Sequence, residues 1–400
     1  MLIVGASVAG VRTLQALRRE GFDSPITMIG EERHHPYDKP PLSKQMLQAG
    51  ADRPVPLVAA EKFAALDVDL RLNTRATALD AQRRLVTTAA GDHLEFTHLV
   101  IATGVIPRTL PGIETPAGVY TIRSADDAAA LRAELDHARR VVVVGAGFIG
   151  AEFASSAAAR GADVVVVETQ TTPMAHLLGA EVGAQLARLH AANGVTLHSG
   201  VQVTGLLGTP RVTGVALADG RVLLADLVVV GIGTVPATDW LRSSGLPVSN
   251  GVDCDERLRV PGTQGIYAAG DVACRFHPRY GLPLRIEHWT NANEHGEIVA
   301  ADVVGGPPPR QRLPYIWSDQ YGRRIQIVGR PGAGEVAAVH GGIDEERFVA
   351  VYADQAGVAV GALVVDDPRT LMKCRKAIDA GLDVTGLDLD GRGLERRVER

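Results

Sequence analysis

The chain has 400 residues, 46% of them hydrophobic, with a mean hydropathy of +0.07 and a formal net charge of −5. That length supports two or three domains with buried cores, and the acidic balance argues against general nucleic-acid binding, which needs a basic surface. No apolar run approaches the roughly 18–20 residues of a membrane span.

The first residues, MLIVGAS, read straight into a strand with no basic n-region or cleavage pattern, so no secretory leader is expected. Cys254, Cys274 and Cys374 form neither a CxxC pair nor a metal-ligand spacing. Buried structural thiols in a reducing, cytoplasmic setting are the expectation. The cations are 36 Arg against 5 Lys, a compositional bias without evident chemistry.

From Leu2 the chain reads as a β-branched run, a glycine turn, an alanine-containing helix, a glycine stop and a second β-branched run. The pattern returns at Val141, with Gly5, Ser7, Gly10 and Gly21 matched by Gly145, Gly147, Gly150 and Gly161. Each copy is predicted to be a βαβ unit. In such a unit the first glycine permits the tight turn, the second admits a pyrophosphate and the third lets helix and strand pack closely. The helix N-terminus then faces the phosphates.

The second copy, Gly145-Ala146-Gly147-Phe148-Ile149-Gly150, is complete, with Glu168 ending the next strand to accept a ribose hydroxyl. The first departs from the rule: Ser7 replaces the middle glycine, Gly30 stands where Glu168 stands in the repeat, and Glu31 follows it. Two such units imply two nucleotides. Glu168 would repel a 2′-phosphate and no arginine follows in ETQTTP, so NAD(H) is expected over NADP(H).

Between and beyond the repeats, EFTHLVIATG (95–104) and LLADLVVVGIGTVP (223–236) each read as a strand entering a small-residue turn. IYAAGDVA (266–273) is a strand ending at Gly270-Asp271. Asp271 there suits either a ribitol or ribose hydroxyl, or a turn in which it caps a helix. GGPPPRQRLP (305–314) reads as a linker. After it come strand-like runs, RRIQIVGR, RFVAVYAD and VAVGALVV, and a helix, PRTLMKCRKAI, before a polar tail GRGLERRVER. The expected fold is α/β: a discontinuous nucleotide domain (1–110 and 237–306), a second inserted in it (111–236), and a C-terminal α+β domain (310–400).

In combination, GASVAG, PYDKPPLSK, ATGVIPR, IRSADDA, VVVVGAGFIGAEFA, GIGTVP, IYAAGDVA, EHWTNA and YIWSDQYG resemble the FAD-dependent, NADH-using ferredoxin reductases, relatives of the disulfide reductases, from Leu2 to about Ile378. The resemblance implies a glutathione-reductase-like architecture with two Rossmann-like domains for FAD and NAD. By position, FAD contacts fall on Gly5, Ser7, Ala9, Gly10, Glu31, Lys44, the segment around Thr77, Thr103, Gly104, Arg123, Gly270, Asp271 and Trp289. NADH contacts fall on Gly145, Gly147, Phe148, Ile149, Gly150, Glu168, Gly231, Ile232 and Gly233. Lys44 and Glu152 match a lysine–glutamate pair beside the flavin, and Trp317 an aromatic residue that the third domain places near it. From the residues alone, Lys44 reads equally as a surface lysine, Glu152 as a first-turn helix glutamate favoured by the dipole, and Trp317 as a core residue.

Disulfide reductases carry two cysteines in the segment ending at Lys44; His35 and Pro40 occupy those places here, and neither side chain forms a thiolate. His34 and His35 are expected to be solvent-exposed. The resemblance therefore implies hydride transfer from NADH to FAD, then single electrons to a small iron–sulfur ferredoxin serving a cytochrome P450 or ring-hydroxylating oxygenase. A small acceptor such as a quinone or monodehydroascorbate is the rival within this fold. An NADH-sensing interaction protein like apoptosis-inducing factor is the rival outside enzymology. For docking an acidic ferredoxin, Arg310, Arg312, Arg323, Arg324 and Arg330 against Asp319 give a local +4, and Arg369, Lys373, Arg375 and Lys376 have no acid among them. A monomer or homodimer is expected, without membrane or metal.

Overall fold

The computed structural model describes residues 1–51, 53–345 and 347–387, so the polar tail GRGLERRVER lies outside the described residues. They form two compact units: 1–41, 53–106 and 234–312 make the first, and 42–51, 107–233 and the described residues from Leu313 onward make the second.

The first unit is built on a five-stranded parallel sheet in the order Ile266–Ala268, Leu99–Ile101, Leu2–Val4, Thr27–Ile29, Asp69–Arg71. The late strand thus joins the opening βαβ unit, with Tyr267 beside Val100 and Val100 beside Ile3. Strands buried on both faces read as unbroken apolar runs because helices cover them. Here the Val8–Arg19 helix packs on the Trp289–Val303 helix. Gly296 permits that close crossing: a Cβ there would lie 2.7 Å from the Thr13 backbone nitrogen. The unit also holds an antiparallel sheet of Ala76–Asp80, Leu85–Thr88 and His93–Glu95, and a four-stranded mixed sheet in which Gly251–Cys254 runs parallel to Ala273–His277.

The second unit repeats the plan. Its parallel sheet runs Thr196–Ser199, Asp163–Glu168, Arg140–Val144, Leu227–Val230, Val119–Tyr120, with Val143 paired to both Val166 and Val229. The C-terminal portion is an antiparallel five-stranded sheet in the order Tyr315–Gln320, Arg323–Gly329, Ala359–Val365, Phe348–Ala353, Glu335–Gly341. Period-2 alternation splits this sheet into two cores. Val328, Val349, Val351, Ala362 and Val364 face Leu371, Cys374 and Ile378 of the Pro368–Ala380 helix. Ile325, Ile327, Phe348, Tyr352 and Leu363 face Met174, Leu178, Val182, Leu186 and Leu189 of the nucleotide-binding portion. That second contact joins the C-terminal domain to the inserted nucleotide domain, and the Tyr352 hydroxyl seals it by donating to Leu178 O (2.7 Å).

The PPLSK segment belongs to this second unit from Leu42 onward. Ser156 Oγ donates to Ser43 O (2.8 Å), and Arg160 Nη1 donates to Leu47 O (2.6 Å), so side chains from the Phe148–Ala159 helix and its C-cap satisfy a backbone that has no ladder of its own. No helix of the described residues is long and apolar enough to cross a membrane.

Candidate cofactor sites and a buried lysine cluster

In the first unit the turn after Leu2–Val4 accepts glycine alone at two places. Gly5 has φ +123°, and a Cβ on it would lie 2.1 Å from Ala102 O; a Cβ on Gly10 would lie 2.1 Å from Gly5 O. Ser7 is the N-cap of the Val8–Arg19 helix, yet its side chain makes no capping hydrogen bond, which leaves the helix-terminal N–H groups for an anion. A Cβ on Gly270 would lie 2.8 Å from the Cβ of Ala9, so the Gly270–Val272 turn abuts this cradle. That turn is held from two sides: Gly270 N donates to the buried His295 Nδ1 (3.1 Å), and Arg285 Nη1 donates to Asp271 O (3.3 Å). Asp271 lies inside the 3₁₀ turn, whose N-cap is Ala269.

Glu31 is exposed, 3.6 Å from Arg75 Nε. Its displacement from the usual position has a steric cause, since any side chain at Gly30 would press on Ala6 at 2.8 Å. Thr103 Oγ1 donates to Ala237 O (2.9 Å) beside Gly104. Trp289 Nε1 donates to Asp38 Oδ1 (2.7 Å), with the Arg12 guanidinium 5.6 Å from its ring centroid. Thr77 is exposed on the Ala76–Asp80 strand and donates to Thr87 O (3.2 Å). Of the neighbouring histidines, His35 is exposed and His34 half-buried, edge-on to Tyr37.

The second unit holds the other cradle. A Cβ on Gly145 (φ +102°) would lie 2.4 Å from Gly231 O, and one on Gly150 would lie 2.0 Å from Gly145 O. Gly147, the N-cap of the Phe148–Ala159 helix, has nothing within 4 Å of its Cβ position, leaving open the space a pyrophosphate requires. Phe148 is half-buried and Ile149 exposed on the first turn. Glu168 ends its strand with Oε2 accepting from Ala146 N (2.8 Å) and Oε1 from Gln170 N (2.8 Å). Ile232 lies against Gly145, and Gly233 O accepts from Arg108 N (2.9 Å). Both cradles fit dinucleotides by this test of crowded glycines beneath an open helix end.

Arg123 lies in the second unit, before a helix (Ala125–Leu135) whose Ser124 and Asp127 form a capping box. Its own N–H donates to Asp127 Oδ2 (3.0 Å).

Also in the second unit, Lys44 and Glu152 meet. Lys44 Nζ is 3.0 Å from Glu152 Oε1 and 3.8 Å from Asp319 Oδ2. Glu152 is buried in the second turn of its helix rather than in the first, so the dipole does not explain it. Its carboxylate also accepts from Ser43 Oγ (2.5 Å), Ser318 Oγ (2.8 Å) and Asp319 N (3.3 Å). Burying a carboxylate without such partners would cost several kcal/mol. Trp317 is half-buried rather than a core residue, stacked on Tyr315 (6.1 Å) with the Arg324 guanidinium 5.9 Å from its ring. Ser43 and Ser318 carry no sequence signal beyond adjacency to Lys44 and Trp317, and Asp319 stands out in the sequence only as the acid among the arginines of 310–330.

The three thiols are all buried, and burial pushes the Cys374 thiol up to about 11 and the Cys254 thiol higher still. The positive charge counted along 310–330 shrinks in space, because Arg312 pairs with Glu297 and Arg323 with Asp366, both acids from outside that segment, while Arg324 pairs with the Asp319 already counted. On the Pro368–Ala380 helix, Arg369, Lys373 and Lys376 remain exposed and Arg375 half-buried.

The paired cradles and the C-terminal sheet define a two-nucleotide oxidoreductase fold. Residues 1–296 match the family described as pyridine nucleotide-disulphide oxidoreductase, and residues 315–390 match that described as reductase C-terminal. The chain belongs to the pyridine nucleotide-disulphide oxidoreductase family.

It is 36% identical over 389 residues to the ferredoxin–NAD(+) reductase component of the anthranilate 1,2-dioxygenase system of Burkholderia cepacia, covering 95% of this chain and 94% of that one. It is 33% identical over 390 residues to rhodocoxin reductase of Rhodococcus erythropolis, covering 96% and 90%. Among solved structures, it resembles that of the covalent putidaredoxin reductase–putidaredoxin complex, with a TM-score of 0.90 at 31% identity, covering 95% and 93%. FAD and NAD(H) are the cofactors that the family and the two cradles imply.

Proposed function

We propose that this chain is an NADH-dependent ferredoxin reductase that supplies electrons to a P450 or ring-hydroxylating oxygenase. The observation that carries the reading is the segment ending at Lys44, which Glu152 and Asp319 clamp: His35 and Pro40 stand there in place of the thiols of disulfide reductases, in a chain whose three cysteines are all buried. The net reaction is NADH + 2 oxidised ferredoxins → NAD⁺ + H⁺ + 2 reduced ferredoxins. Bound FAD supplies the conversion of a hydride's two electrons into single-electron transfers.

The chain's own part is positioning and electrostatics. We assign FAD to the Gly5–Gly10 turn with Glu31, Thr103, Asp271 and Trp289, and NADH to the Gly145–Gly150 turn with Glu168 and the Gly231–Gly233 turn. Lys44 is assigned to the flavin, where an ammonium favours the added negative charge of the reduced form. Trp317 is assigned to the same neighbourhood, and Thr77 and Arg123 to more peripheral FAD contacts. For the partner, the exposed Arg369, Lys373 and Lys376 stripe, with Met372 49% exposed among them, suits an acidic ferredoxin. Arg310 and Arg330 are secondary contributors to that docking. Three buried thiols outside any disulfide suit a cytoplasmic location.

The test is NADH-driven reduction of cytochrome c with and without an added 2Fe–2S ferredoxin. Turnover that depends on ferredoxin, and weakens as salt rises, supports the reading. Turnover that ignores both, with a quinone reduced instead, contradicts it.

A further inference from the structure

Lys44 is balanced by two carboxylates of different character. Glu152 has a side chain only 5% exposed, and its oxygens already take three neutral donors, Ser43 Oγ, Ser318 Oγ and Asp319 N–H, besides the ammonium. Gln320 Nε2 donates to Ser318 Oγ (3.0 Å), so that hydroxyl's own proton is turned toward Glu152. A carboxylate engaged by that many donors presents less negative charge to any one of them. Asp319, with a side chain 36% exposed, is divided: Oδ2 lies 3.8 Å from Lys44 Nζ and Oδ1 lies 3.7 Å from Arg324 Nη1. Arg324 in turn covers the Trp317 ring. The four charges Lys44, Arg324, Glu152 and Asp319 sum to zero, and Asp319 is the member both cations share.

We propose that Asp319 is a positioning residue that sets, through Lys44, how strongly the chain favours reduced flavin. The inference rests on the assignment of Lys44 to the flavin. Removing the charge of Asp319 leaves the cluster at +1 and frees the ammonium. Removing that of Arg324 leaves it at −1 and gives Asp319 wholly to Lys44. The two changes push the flavin equilibrium in opposite directions, a signature that a purely structural role for Asp319 does not produce.

The experiment is an anaerobic redox titration of the flavin-loaded protein against a reference dye, in wild type and in Asp319→Asn, Arg324→Gln, Lys44→Met and Lys44→Met/Asp319→Asn. Asp319→Asn is expected to raise the reduced-to-oxidised ratio about tenfold, a midpoint rise of about 30 mV for a two-electron couple. Arg324→Gln is expected to lower the midpoint by less, and it supplies the reading if the asparagine variant holds flavin poorly. In the Lys44→Met background the Asp319→Asn shift should largely vanish. An unchanged midpoint in Asp319→Asn, or the same shift without Lys44, overturns the inference while leaving Lys44 at the flavin. No shift in Lys44→Met alone overturns the assignment of Lys44, and the inference falls with it.

Discussion

Glu152 Oε1 and Lys44 Nζ, 108 residues apart in sequence, stand 3.0 Å apart, and the carboxylate is the more deeply engaged partner. Its loss strands three other donors, from Ser43, Ser318 and Asp319, whereas loss of Lys44 leaves Glu152 with all three. Glu152→Ala is therefore expected to destabilise the protein by about 3–5 kcal/mol, as removal of one partner from a buried pair does. Lys44→Met should cost clearly less. Paired denaturant melts check this, and equal losses would show that the hydroxyl donors contribute little.

The two glycines of the second cradle should respond differently to one methyl group. Gly150→Ala places Cβ 2.0 Å from Gly145 O and should lower the melting temperature, whereas Gly147→Ala meets no protein atom within 4 Å. The second variant should fold like wild type yet bind NADH at least about tenfold more weakly, a loss of about 1.4 kcal/mol. Calorimetric binding together with a melt separates the two, and normal NADH affinity in Gly147→Ala would remove the pyrophosphate from that turn.

Glu168 is anchored by the N–H groups of Ala146 and Gln170, so its charge is fixed at the end of the strand. Replacing it with Gln and Gln170 with Arg exchanges a ribose acceptor for a cation suited to a 2′-phosphate. The NADH-to-NADPH ratio of kcat/KM should fall by about two orders of magnitude, roughly 2.7 kcal/mol. An unmoved ratio would take Glu168 away from the ribose.

His190, buried in the Ala180–Ala192 helix with Nδ1 2.7 Å from Tyr321 Oη, makes stability depend on pH. Burial pushes its pKa down from 6.5 to about 4. Between those values the unfolded chain binds a proton that the folded one does not, so stability falls as pH falls through the window. The slope is about 1.4 kcal/mol per pH unit, and this group contributes no pH dependence above about 6.5. Melting curves of His190→Asn should be flatter than wild type between pH 6.5 and 4; superimposable slopes would count against a neutral His190.

Both βαβ units were legible because their signals are local. A glycine at positive φ, a β-branched run and a closing glycine each act within about 30 residues. The continuous apolar runs of the C-terminal domain were legible as strands, but not as members of a sheet buried on both faces. Glu335–Gly341, with its mixed pattern EVAAVHG, escaped notice because as an edge strand it is only partly buried. The lysine cluster was half legible: family motifs supplied Lys44 and Glu152. The Ser318–Glu152 contact spans 166 residues, and no pattern along one chain encodes such a pairing. The arginine count over 310–330 misled for the same reason, since Glu297 and Asp366, which neutralise two of its members, lie outside that window.

The most direct test is an anaerobic titration in which NADH is added to the flavin-loaded protein with a 2Fe–2S ferredoxin in excess, both followed by visible absorbance. The expected result is two ferredoxins reduced per NADH, with no long-wavelength thiolate–flavin band at any stage. Flavin bleaching at one NADH per chain while ferredoxin stays oxidised would contradict the assignment.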